Sequence, residues 1–197
     1  MKQQGKPNRT SLNQIADMFK KIQWQPNTIN LDYGGGAYDK SSDYLAEKGV
    51  QNFIFDTFAR SIEENKRVAE FAKNHKFDTT TCFNVLNVVD NKDAQESIVR
   101  KCAKCLKNDG VSYFQIYNSG KKGATKIDTY QDAENIDNYL PFFEKYYNDV
   151  KLLGKKYAIC RNPKDIKTTD DWFFDEEQTL KKGTQFSLKN SFGILMF

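Results

Sequence analysis

The chain has 197 residues, of which 39% are hydrophobic and 14% aromatic. That is enough to bury a core, and it excludes a disordered chain. A net charge of +4 neither demands nor forbids a nucleic-acid partner, and no apolar run approaches membrane-spanning length.

Residues 1–10 are polar. Ser11 is placed to cap a first helix, in which Leu12, Ile15, Met18, Phe19 and Ile22 recur at helical spacing until Pro26-Asn27 breaks the pattern. Thr28–Leu31 reads as a short strand running into Asn30-Leu-Asp-Tyr-Gly-Gly-Gly36. Tyr38–Lys48 reads as a helix closed by Gly49, and Val50–Phe55 as a second strand ending at Asp56. Ser61-Ile-Glu-Glu64 is a capping-box pattern, opening a helix that runs to about His75. Asp78–Val85 reads as a third strand. A long helix starts at Asn91 or Asp93, with Ala94, Ile98, Cys102 and Leu106 on one face, and Asn108-Asp109-Gly110 is its expected end. Val111–Tyr117 reads as a fourth strand and Asn118–Thr129 as a Gly/Lys loop. Residues 134–147 look helical, with Pro141 as a kink or a first-turn residue. Val150–Leu153 and Lys156–Cys160 flank Gly154-Lys155 and suggest an antiparallel hairpin.

Strands alternating with helices predict an α/β fold: a mostly parallel sheet, helices on both faces, and a terminal antiparallel hairpin. The expected organisation is an N-terminal segment with one helix over 1–26, the α/β domain over 27–162, and an extension over 163–197. The extension carries Trp172-Phe173-Phe174 and the apolar run Phe192–Phe197. It is expected to dock on the domain, add a strand to an edge, or form an oligomer contact.

The polar N-terminus predicts no secretory leader and a cytoplasmic, reducing setting for Cys82, Cys102, Cys105 and Cys160. Cys102-Lys-Ala-Lys-Cys105 is a lone CxxC, and a metal site would need further ligands where the chain offers one histidine, His75. Ordinary buried thiols are the expected reading, with no metal.

Three groups fall at the carboxyl ends of the first three strands: Asp32-Tyr33-Gly34-Gly35-Gly36, then Asp56, then Asn84 with Asn87. In an open α/β sheet that edge receives ligands. Glycines let a ligand approach the backbone, and a carboxylate after the second strand suits ribose hydroxyls. A dinucleotide or S-adenosylmethionine would use this arrangement. Two details favour the second. The third glycine of G-x-G-x-x-G is missing, and Asp39 stands where a pyrophosphate prefers no acid.

Asn30-Leu-Asp-Tyr-Gly-Gly-Gly36 resembles the cofactor loop of class I S-adenosylmethionine-dependent methyltransferases. Phe55-Asp-Thr-Phe-Ala-Arg-Ser61 and Asp78–Val89 resemble the second-strand and fourth motifs of a phage- and prophage-borne branch of that family. Gly120-Lys-Lys-Gly123-Ala-Thr125, Tyr130-Gln131 and Tyr139-Leu-Pro141 are similar to its downstream stretches. The resemblance covers about residues 25–162. It implies a Rossmann-like fold and S-adenosylmethionine as cofactor. Asp32, Tyr33, Gly34, Gly35 and Gly36 would lie at the methionine and ribose parts, Asp56 at the ribose hydroxyls, and Asn84 beside the transferred methyl. The tetrad of DNA amino-methyltransferases is replaced by Asn84-Val-Leu-Asn87, with no aromatic to stack a flipped base. This weakens base methylation, and nucleic acid is a possible but unindicated partner.

Methyl transfer is mainly positioning and electrostatics. Asn84, Asp39 and Tyr130 are the candidate catalytic residues, with Asp78 a further candidate base. The expected function is methyl transfer from S-adenosylmethionine to an acceptor the chain does not identify. The alternative is a non-catalytic phage protein that uses the same fold as a binding or assembly module.

Overall fold

The computed structural model describes residues 15–117 and 134–166, together with the backbone of three short strands, Lys6–Pro7, Gly123–Ala124 and Thr129–Gln131. The Trp172 cluster, the Phe192–Phe197 run, Ser11 and Leu12 lie outside the described residues.

Helix α1 (Asp17–Lys21) precedes β1 (Thr28–Tyr33), α2 (Lys40–Ala46), β2 (Val50–Phe55), α3 (Ile62–Asn74) and β3 (Phe77–Phe83). A 3-10 turn at Leu86–Val88 leads to α4 (Lys92–Cys105) and β4 (Leu106–Gln115). A second 3-10 turn at Ile136–Tyr139 runs into α5 (Leu140–Tyr146), then β5 (Tyr147–Leu153) and β6 (Tyr157–Pro163). The six-stranded sheet has the order β2-β1-β3-β4-β6-β5. The first four strands are parallel; β6 pairs antiparallel with both β4 and β5. This is the expected mostly parallel α/β sheet with a terminal hairpin.

The order matters for the site. The chain leaves β1 to one side, for β2, and returns through α3 to the other side, for β3. Beyond their carboxyl ends, β1 and β3 therefore flank the point where the winding reverses, the usual place for a ligand crevice.

Alternation along the strands sends the two faces to different partners. On one face, Met18, Phe19 and Ile22 of the α1 region pack with Leu45, Val50 and Phe83; the Phe19 and Phe83 rings meet edge-on at 4.8 Å. On the other, Phe53 stacks on Phe71 of α3 at 4.2 Å, and Phe114 lies 4.7 Å from Phe143 of α5. All four cysteines are buried free thiols. Burial, then the contact with Cys102, holds the Cys82 thiol well above its ordinary pKa.

Several boundaries differ from the sequence reading. Asn108-Asp109-Gly110 does not end a helix. The helix stops at Cys105, and the tripeptide is absorbed inside β4, where the register against β3 slips between Phe77 and Thr79. A Cβ on Gly110 would sit 2.8 Å from the Asp78 carbonyl oxygen, so only glycine lets the two backbones close there. Helix α2 starts at Lys40 and not Tyr38, because Gly36 turns through a φ of +80° first. Residues 136–139 are 3-10, and Pro141 sits in the first turn of α5, where its missing N–H costs nothing. The hairpin is longer than read, pairing from Tyr147↔Pro163 to Leu153↔Tyr157.

Candidate active site

Beneath the glycine loop lies a buried polar network on the α2 side of the sheet. Asn30 is fully buried. Its Nδ2 donates to Asn52 Oδ1 at 2.8 Å and to Thr81 Oγ1 at 3.1 Å, and its Oδ1 accepts from Thr79 Oγ1 at 2.7 Å. Asp32 accepts from Thr81 Oγ1 and from Ser41 Oγ, each at 2.9 Å. Burial pushes the Asp32 carboxyl up to about 6, against the lowering effect of those two hydroxyls. The carboxylate is thus a fixed floor under the loop. A Cβ on Gly35 would sit 2.5 Å from its Oδ2. Tyr33 turns to the opposite face, where its ring meets Phe55 at 5.1 Å and burial holds its hydroxyl well above the usual pKa.

Gly34 has a φ of +77°, and a Cβ there would lie 2.3 Å from Val85 Cγ2. Its N–H donates to the Phe55 carbonyl at 2.7 Å, extending the β1–β2 ladder by one bond. The next link joins the loop to the acid: Gly36 N–H donates to Asp56 Oδ2 at 2.9 Å. Asp56 Oδ1 accepts from the N–H groups of Phe58 and Ala59, both at 2.9 Å. An ionised carboxylate has about four acceptor positions. Three are taken by the backbone, so Asp56 as it stands has room for one hydroxyl rather than the pair expected from sequence.

Asn65 of α3 fixes this corner. Its Oδ1 accepts from Asp56 N–H and its Nδ2 donates to the Asp56 carbonyl, both at 2.9 Å. Arg60 closes the corner from outside. Its Nε donates to the Gly36 carbonyl at 2.8 Å, its Nη2 pairs with Asp39 at 2.7 Å, and its Nη1 with Glu64 at 3.3 Å. The candidate base Asp39 is therefore an ion-pair partner, though its own side chain is 69% exposed.

Asn84 follows β3 in the left-handed region, at a φ of 61°. Its N–H donates to the Gln115 carbonyl at 2.7 Å, and its Oδ1 accepts from Gln115 Nε2 at 3.1 Å. Asn87 is 1% exposed; its Nδ2 donates to the Tyr117 carbonyl at 3.1 Å, and its buried Oδ1 has no partner among the described residues.

Asp78 is not part of this site. It opens β3, at the opposite edge of the sheet, where it accepts from Ile29 N–H at 2.9 Å and from Lys107 Nζ at 2.6 Å. The sequence reading put it at the start of the third strand, where it is, but counted it near a pocket that lies at the strand's other end. A groove of about 740 Å³ also lies at that far edge, lined by Lys76, Lys107 and Lys164 among others. Each of the three is engaged: Lys76 donates to the Lys104 carbonyl, Lys107 to Asp78, and Lys164 to the Glu144 carbonyl. For Tyr130 only the backbone is described. Its strand, Thr129–Gln131, runs beside the Leu86–Val88 turn, near the end of β3.

Sequence reasoning missed Arg60, Gln115 and Val85. Arg60 carried a readable signal, an acid four residues on at Glu64. Gln115 carried none, since its partners are distant in the chain. Among the described residues three large hydrophobic side chains stand exposed, Tyr38 at 43%, Phe58 at 50% and Tyr117 at 54%. All three sit on loops at this carboxyl edge, after β1, β2 and β4.

No family model and no curated protein matches the chain. Solved structures do. A methyltransferase candidate from Haloferax volcanii, in complex with the Trm112 methyltransferase activator, superimposes with a TM-score of 0.51. It is 11% identical and covers 74% of this chain and 87% of its own. A TehB-like S-adenosylmethionine-dependent methyltransferase from Corynebacterium glutamicum gives 0.47 at 13% identity, over 74% of this chain and 85% of its own. A 1,6-didemethyltoxoflavin-N1-methyltransferase from Burkholderia thailandensis, with 1,6-didemethyltoxoflavin and S-adenosylhomocysteine bound, gives 0.48 at 15% identity, over 71% of this chain and 72% of its own. The first of these likenesses identifies the fold as the Rossmann-like fold expected from sequence.

Proposed function

We propose that this protein binds S-adenosylmethionine at the carboxyl edge between β1 and β3 and transfers its methyl group to an acceptor. One observation carries the reading: the glycine loop and the second-strand acid, 20 residues apart, converge at a 2.9 Å hydrogen bond from Gly36 to Asp56, at the winding reversal of such a fold. The residues fit the cofactor on two counts. Asp56 keeps one acceptor position for a ribose hydroxyl, and the loop backbone at 34–36 carries no side chain toward the crevice. They qualify it on a third, since Val85 and Asp32 already use the space that glycine leaves at 34 and 35.

In this reading Gly34 and Gly36 line the cofactor, Asp56 takes a ribose hydroxyl, and Arg60 holds the loop closed from outside. Asn84 faces the reacting centre. When bound, the cofactor supplies an already activated methyl on a sulfonium, so the chain's task is to orient and to exclude water. The phage- or prophage-borne branch is the context that the motif resemblance supports. Among the described residues no helix is long and apolar enough to cross a membrane.

Calorimetry with S-adenosylmethionine and S-adenosylhomocysteine tests the proposal. We expect saturable heat with both, and Asp56→Ala should weaken binding by about 1–3 kcal/mol, the cost of losing a charged acceptor. Absence of heat with both ligands overturns the proposal and leaves the non-catalytic module.

A further inference from the structure

An asparagine amide can present either its oxygen or its NH2 to a ligand, and electron density alone rarely says which. At Asn84 the fold decides. Gln115 pairs with Phe83 across the β3–β4 ladder and is 7% exposed. Its Oε1 accepts from the Met18 backbone N–H at 2.9 Å. A main-chain N–H can only donate, so the atom facing it must be the Gln115 oxygen. Gln115 Nε2 then points the other way and donates to Asn84, whose facing atom must in turn be Oδ1, at 3.1 Å. The backbone bond from Asn84 N–H to the Gln115 carbonyl, at 2.7 Å, holds the turn in place. What Asn84 has left to offer is its NH2, which has no hydrogen-bond partner among the described residues.

We propose that Asn84 is a fixed N–H donor at the β1/β3 crevice, set by a relay from Met18 through Gln115, and that the methyl acceptor is an oxyanion, a carboxylate or a phenolate, rather than an amine. The proposal rests on the methyltransferase reading for the word acceptor; the orientation of the amide does not. An amine nitrogen has one lone pair. If that pair accepts from Asn84 it is not available to attack, and if the nitrogen donates instead it meets a donor. An oxyanion has pairs to spare. One accepts from Asn84, and another forms the new O–CH3 bond while the electrons of the broken S–CH3 bond stay on sulfur. No proton has to be removed, which suits a site whose Asp39 is already committed to Arg60. Gln115 acts here as a positioning residue, through Asn84.

The test is side-chain amide NMR on the labelled, full-length protein. The Gln115 NH2 should exchange slowly with water and the Asn84 NH2 rapidly. In protein saturated with S-adenosylhomocysteine, benzoate should shift the Asn84 NH2 resonances, and benzylamine should not. In Gln115→Glu one carboxylate oxygen still serves Met18, while the other now accepts, so Asn84 must turn over. Its NH2 should become protected, and benzoate binding should weaken at least tenfold. A protected Asn84 NH2 in the unaltered protein overturns the inference, as do equal shifts from benzoate and benzylamine. The exchange pattern needs no cofactor and no variant. Failure of S-adenosylhomocysteine to bind would therefore sink the proposed function and the acceptor class with it, but not the orientation of the amide, and a Gln115→Glu chain that does not fold leaves the wild-type pattern to decide.

Discussion

Asp32 is the residue with the clearest pH signature. Burial raises its folded pKa to about 6, above the ordinary aspartate value of 3.8. A raised acid pKa means that the folded state holds a proton the unfolded chain has lost. The contribution to stability is complete below the unfolded pKa and is lost as pH rises through the folded one. Relative to Asp32→Asn, the wild type should lose about 2 kcal/mol of unfolding free energy between about pH 4.5 and pH 7, read by urea titration at each pH. A difference that stays flat would mean that the group does not titrate there. Gly34 makes a second residue-scale case. Gly34→Ala adds a left-handed alanine and a clash with Val85, and should cost about 3 kcal/mol. Gly154→Ala, at a φ of +61° with nothing within 4 Å, should cost only about 1 kcal/mol. Thermal denaturation of the pair separates conformational strain from crowding. The sequence made the importance of these glycines legible but not its cause, because Val85 stands 51 positions away.

Among the elements, α3 was the most readable. Ser61 Oγ accepts from Glu64 N–H at 3.2 Å while Glu64 Oε2 accepts from Ser61 N–H at 2.8 Å, as the S-x-x-E pattern predicts. Those bonds hold the Glu64 carboxyl below its ordinary range. Ser61→Ala should cost about 1 kcal/mol, measured by chemical denaturation. Asn65→Leu should cost more, about 2–3 kcal/mol, because it leaves the Asp56 N–H unpaired and takes from the Asp56 carbonyl one of its two donors, the other being the Arg60 N–H. It should also loosen whatever binds at Asp56. Elements set by local chemistry were readable for this reason: caps, a run of β-branched residues, and a turn glycine all act within a few positions. The end of α4 was misread because Asn-Asp-Gly is a stop signal locally, and only the opposite strand shows that it fills a bulge instead.

At the scale of the whole molecule, sheet order was the part the sequence could not supply. Alternation predicts parallel strands but not which neighbours they find, and the crevice follows from β1 lying between β2 and β3. That order also ranks the strands. Backbone amides of β1, β3, β4 and β6, flanked on both sides, should be the last to exchange with deuterium, and those of β2 and β5, at the ends of the sheet order, the first. The sulfurs carry this further. All four are sealed in the interior, two on α4, one on β3 and one on β6, so no partial fraying at an end of the sheet order uncovers them together. Fraying of β5, whose Val150 pairs with Cys160, should admit a thiol reagent to that one sulfur first in native buffer, whereas four labels on one molecule require the whole sheet to open. The slow rise of that fourfold mass shift would serve as a clock for how often the entire body comes apart.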